Sequence, residues 1–205
     1  MNSIIPQAHF DRAKPFYPIV MQYIIQLFGF KEIAVRAVSV KEFKIDLNGI
    51  TSQKISVASD VAAQLHALLG PLQLKSSVQN TDLEVPIQLI AEELSANFNY
   101  LIQSLLLSAA NVLVLSHELC KDSAVHDKGP LWEFLRHCRN AAGHGGKFNL
   151  LHGEPKRLAK WRCLEITTAL HGTSLMVGSD GVGLLRPADP IHLLWDIEQA
   201  YPALA

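Results

Sequence analysis

The chain has 205 residues, long enough for one domain with an appendage and for a sizeable core. Apolar residues make up 49% and charged residues only 18%, against about 25% charged in ordinary soluble domains, which argues against disorder and for a surface partly covered by another subunit. The net charge is −1, so the field of the whole chain selects no partner.

In chain order, the N-terminus MNSIIPQAHFDR has no basic region leading into an apolar run, so no signal peptide is expected. Phe16–Phe30 is apolar on most faces and predicts a buried helix starting near Pro18. Phe43-Lys44-Ile45-Asp46-Leu47 alternates with period two and runs into Asn48-Gly49, which predicts a small hairpin within 35–57. Ser59-Asp60 caps a predicted helix that Gly70-Pro71 stops after Leu69. Residues 71–82 are polar and read as a loop.

From Leu83 to Cys120 the pattern is helical. Phe98, Leu101, Leu105, Val112, Leu115 and Leu119 fall at heptad a and d positions, as expected for one long core helix or for two divided near Asn97–Asn99. The longest apolar runs, Phe16–Phe30 and Leu101–Leu115, are shorter than the ~20 residues that span a bilayer. A linker, Lys121–Gly129, precedes Pro130, which suits the first turn of a helix through Ala142. Gly143, Gly145 and Gly146 end that helix. Beyond Lys147, Leu164–Thr167 and Leu175–Val177 read as strands flanking a turn at Gly172, and Asp189-Pro190 opens a last helix carrying Ile191, Leu194 and Trp195. The expectation is a mainly α fold in which residues 1–150 form a helical domain. Residues 151–205 would be a hairpin-plus-helix extension packed on it, too short to stand alone.

Leu131–Lys147, LWEFLRHCRNAAGHGGK, carries the chemistry. On a helical wheel Leu131, Phe134, Leu135, Cys138, Ala141 and Ala142 share one face, with Trp132, Arg136 and Arg139 on its flank and Asn140 nearly opposite. His144 falls at the helix C-terminus, where the dipole favours imidazolium. Arg139 offers a fork for two phosphate oxygens. His144 can take a proton from a hydroxyl or give one to a leaving oxygen. RNA brings its own nucleophile, the 2′-hydroxyl, so this pair needs no metal. Taken singly, Arg139 reads first as a surface or interhelix ion pair and His144 as a helix C-cap; together with Asn140 and the glycines they read as a site.

Arg139-Asn140-Ala141-Ala142-Gly143-His144 resembles the signature of the HEPN superfamily: Arg, a polar residue, a few more residues and His, at the end of a helix in an all-α bundle. The resemblance covers roughly residues 80–150. It implies a HEPN-like helical bundle acting as a homodimer, and a metal-independent endoribonuclease of toxin–antitoxin, defence or RNA-processing systems. An antitoxin or regulatory protein would be a further partner. Carried over, Arg139 would bind and stabilise the phosphate, His144 would be the acid/base group, and Asn140 would orient the phosphate or His144. The alternative is a HEPN-like binding or dimerisation module without catalysis.

Charge placement agrees with a polyanionic ligand. Between Arg136 and Arg162 the basic residues are Arg136, Arg139, Lys147, Lys156, Arg157, Lys160 and Arg162, against one acid, Glu154. All but Arg139 are candidate RNA contacts by charge alone. Trp161 and Phe148 are candidates to stack on bases, although the tryptophans read first as packing residues. His117-Glu118 starts like a zinc-protease helix, but Lys121 stands where the second His belongs. No metal site and no cofactor are therefore expected. Three unpaired cysteines, Cys120, Cys138 and Cys163, fit a reducing, cytoplasmic setting.

Overall fold

The computed structural model describes residues 11–37, 72–75, 83–85, 99–121, 129–151, 153–178 and 180–204. The described chain is mainly helical, with four α-helices and two small antiparallel two-stranded sheets. It falls into two compact units, Leu27–Ser104 and a second made of Met1–Gln26 with Leu105–Ala205. Residues 151–205 thus share a unit with the helices that precede them.

In the first of these units, β1 (Leu72–Leu74) pairs antiparallel with β2 (Leu83–Val85), Gln73 opposite Glu84. Residues 72–74, expected as loop, and 83–85, expected as helix, are strands instead. Leu-Gln-Leu and Leu-Glu-Val each alternate, but three residues are too few for periodicity to register. Helix α1 (Tyr17–Ala37) also runs past Phe30, so residues 35–37 of the expected hairpin are helical. The rest of that hairpin, and the helix expected from Ser59 to Leu69, lie outside the described residues.

The larger unit holds most of the described core. The start of α1 buries Phe16, Val20 and Tyr23. Its first orphan amide is capped from afar, the Phe16 N–H donating to Glu198 Oε1 at 3.1 Å. Tyr23 donates its hydroxyl to the Pro187 carbonyl at 2.9 Å. Helix α2 (Asn99–Cys120) buries Leu101, Leu105, Ala109, Val112, Leu113, Ser116 and Cys120. The buried Ser116 hydroxyl donates to the Val112 carbonyl at 2.7 Å, so it leaves no orphan in the core. Leu115 and Leu119, expected in the core, are exposed instead, because the buried stripe repeats closer to every 3.6 residues than every 3.5 and drifts away from them. By length and composition α2 could cross a bilayer, with 39% of its apolar window buried; core helices pass the same test.

Helix α3 (Pro130–Gly143) opens with proline in its first turn, as its sequence predicts. It is more enclosed than a one-faced stripe: Trp132, Glu133 and His137 are buried along with Phe134, Leu135, Cys138 and Ala141. Strand β3 (Ala159–Trp161) packs on it, with the Phe134 and Trp161 rings 5.8 Å apart. Burying side chains of this size contributes about 1.5–3 kcal/mol each.

Strand β3 pairs antiparallel with β4 (Leu164–Ile166), Trp161 opposite Leu164. The pairing of 164–167 with 175–177 across Gly172, expected from the sequence, does not form. The hairpin instead turns at Arg162-Cys163, where Arg162 takes a left-handed backbone, φ 51°. That conformation is rare for arginine, so no turn signal marked it. Residues 175–177 have other partners: the Leu175 N–H donates to the Gly146 carbonyl and the Val177 N–H to Leu185, both at 2.7 Å. Helix α4 (Asp189–Ala200) starts where expected and buries Leu193, Leu194, Ile197 and Glu198.

Candidate nucleic-acid interface

Two glycines shape the end of α3. His144 is the cap residue, and its N–H donates to the carbonyls of Asn140 at 3.0 Å and Ala141 at 3.2 Å. The chain then turns left-handed at Gly145 (φ 71°) and Gly146 (φ 75°), and the Gly146 N–H returns to the Ala141 carbonyl at 2.9 Å. This six-to-one bond is the Schellman closure that glycine permits. A Cβ at Gly143, Gly145 or Gly146 would meet nothing within 4 Å. His144 is exposed beside this bare turn.

Arg139 lies one turn earlier with its side chain about a third exposed. Its Nη2 donates to Glu118 Oε1 on α2 at 2.8 Å. Nη1 reaches Asn140 Oδ1 at 3.4 Å. Its Nε is buried with no partner. Lys121 Nζ stands 3.6 Å from the other oxygen of Glu118. The hydrogen bond from Arg139, helped by Lys121, holds the Glu118 carboxyl below its ordinary range. Asn140 therefore serves both groups, its side chain meeting Arg139 and its carbonyl accepting the His144 amide. No hydrogen bond joins Arg139 to His144 directly.

The other basic residues divide into two sets. Arg136 donates to Glu133 Oε2 through Nε at 3.1 Å and Nη2 at 2.7 Å, and Arg157 reaches Oε1 at 3.4 Å. Arg162 forks onto Asp196 at 2.7 and 2.9 Å. Arg136 and Arg157 thus share one carboxylate, while Arg162 has Asp196 as its own partner. Lys147, Lys156 and Lys160 are exposed and have no carboxylate partner.

Trp161 and Phe148 are both buried, which removes them as base platforms. The Trp161 indole N–H donates to Asp196 Oδ2 at 2.7 Å.

Two buried groups of α3 that carry no motif, Glu133 and His137, form a second cluster. Burial pushes the Glu133 carboxyl up, but the Arg136 hydrogen bonds, with Arg157 and His137, outweigh it and leave it below the usual carboxylate range. Burial lowers the His137 pKa and the Arg136 charge lowers it further, against Glu154 and Glu133. His137 Nε2 lies 2.9 Å from Arg136 Nη2, so in the neutral ring it accepts from the guanidinium. The i, i+3, i+4 spacing of Glu133, Arg136 and His137 was a readable signal for this cluster. Glu118, 21 residues from Arg139, gave none.

All three cysteines are free; burial pushes the Cys120 thiol up to about 11 and Cys138 well above its ordinary value. Among the described residues no three His, Cys, Asp or Glu side chains group as metal ligands. Comparison with family models, with curated proteins and with solved structures gave no match.

Proposed function

We propose that this protein binds RNA and cleaves it without a metal, at a HEPN-like site made of Arg139, Asn140 and His144. The observation that carries this reading is the end of α3: an exposed imidazole beside a bare glycine turn, one turn from a part-exposed guanidinium that already holds an anionic group. Arg139 grips a non-bridging phosphate oxygen and offsets charge on the phosphorane. A neutral His144 takes the proton of the 2′-hydroxyl as the 2′-oxygen bonds to phosphorus. The bond from phosphorus to the 5′-oxygen breaks, and a charged His144 from a second copy of the chain supplies the proton that oxygen needs. The products are a 2′,3′-cyclic phosphate and a 5′-hydroxyl.

Two copies are part of the reading because one imidazole cannot be base and acid at once. The surface we assign to the second copy is the outward stripe of α2, where Leu107, Leu115 and Leu119 are exposed and the last two flank Glu118. Pairing there buries apolar area. Lys147, Lys156 and Lys160 supply further phosphate contacts, and an antitoxin or regulatory protein would cover the site.

The second reading, RNA binding without cleavage, is favoured by one fact: Arg139 is bonded to Glu118 and not to His144. Incubating the purified protein with single-stranded RNA in excess EDTA separates the two. Catalysis requires cleavage that Arg139→Ala and His144→Ala each abolish with folding intact. Binding without cutting supports the second reading.

A further inference from the structure

The Arg139–Glu118–Lys121 contact has the form of an anion seat filled by the protein's own carboxylate. One oxygen of Glu118 is held by Arg139 and the other faces Lys121. Two cations, one on α3 and one just past the end of α2, thus converge on one planar anionic group, with each oxygen matched to a different cation. A phosphodiester presents two non-bridging oxygens in the same way, and Arg and Lys are the side chains that bind it, as fork and as point charge. Arg139 and Lys121 are both solvent-reachable, so a ligand can enter without unfolding.

From this geometry we infer that Lys121 is a phosphate-binding residue acting with Arg139, and that the Glu118 carboxylate is a resident plug which an RNA phosphate displaces. This rests on the RNA-binding reading and deepens it. When phosphate enters, Glu118 swings away from Arg139. The ion pair is exposed and therefore weak, so a polyanion displaces it readily.

The test is the affinity of the full chain for a fluorescent 2′-O-methyl oligouridine, which cannot be cleaved, read by anisotropy over a range of salt. Glu118→Gln and Glu118→Ala are expected to bind about three- to fivefold more tightly, the scale of one exposed ion pair. The slope of log affinity against log salt should steepen by less than the ~0.7 of a whole phosphate contact, because the variants free no carboxylate to recapture a cation when phosphate enters. The gain should vanish when Glu118→Gln is combined with Arg139→Gln or with Lys121→Gln. Glu165→Gln, the same change of charge at an exposed position of β4, should shift affinity less than twofold. Unchanged or weaker binding in both Glu118 variants would overturn the inference, as would a gain that survives loss of Arg139 and Lys121. Cleavage of ordinary RNA, followed in parallel, keeps the questions apart. Tighter binding by a protein that never cuts upholds the plug and sinks the nuclease, while cutting that needs Arg139 and His144 but ignores Glu118 does the reverse.

Discussion

Glu133 and Arg136 form a two-point contact within one turn of α3, Nε and Nη2 of the arginine both donating to the same carboxylate oxygen. The glutamate is buried and the arginine about a third exposed. Glu133→Gln keeps the shape but removes the charge that two guanidiniums, Arg136 and Arg157, share. Arg136 and Arg157 can turn to water, so the expected loss is about 1–3 kcal/mol rather than the cost of a fully buried orphan. A melting temperature lower by several degrees checks this. Because the folded-state pKa of Glu133 is depressed, its contribution is present above its ordinary value of 4.5 and fades as pH falls below it. The variant should lose that part of the acid sensitivity.

His137 acts in a higher window. Its pKa is depressed by burial and by Arg136, so below its ordinary value of 6.5 the unfolded chain takes up a proton that the folded chain resists. Stability should fall as pH drops from 7.5 toward 5.5, by at most about 1.4 kcal/mol per pH unit for this one proton. In His137→Gln the difference between melting temperatures at the two pH values should shrink. An unchanged difference would mean that another group carries the titration.

Arg162 combines backbone strain with a forked ion pair. A left-handed arginine costs on the order of 1 kcal/mol, and the two bonds to Asp196 offset it. Arg162→Gly relieves the strain and loses the pair, so alone it should be near neutral. In an Asp196→Asn background the pair is already weakened, and Arg162→Gly should then stabilise. Chemical denaturation of the four proteins reads this change of sign.

Among the basic residues of the 136–162 segment, the exposed lysines and the paired arginines should separate by salt. Replacing Lys147, Lys156 and Lys160 together by Ala should flatten the salt dependence of RNA binding by up to about 2 in slope, with little change in melting temperature. Arg162→Ala should do the reverse, lowering stability with little change in slope.

Much of the fold was legible. Pro130 and Asp189-Pro190 marked two helix starts because proline costs nothing in a first turn. The glycine run marked the end of α3. The three-residue strands were not legible, since their alternation is shorter than any window that detects it. The Arg162 turn was hidden because its stability comes from Asp196, 34 residues away. At the site, spacing along α3 placed Arg139, Asn140 and His144 within one helix end, and the possibility of an interhelix ion pair for Arg139 was already readable. That its partner is Glu118 depends on how α2 and α3 pack, which no local pattern encodes.

The most direct test of the nuclease account uses a single-stranded RNA carrying one 2′-deoxy sugar at the mapped cleavage position, digested in EDTA with the fragments weighed by mass spectrometry. The account expects the all-ribose strand to yield a 2′,3′-cyclic phosphate and a 5′-hydroxyl, and the deoxy strand to stay whole at that position. A cut at the deoxy position, or fragments ending in a 5′-phosphate, would contradict it.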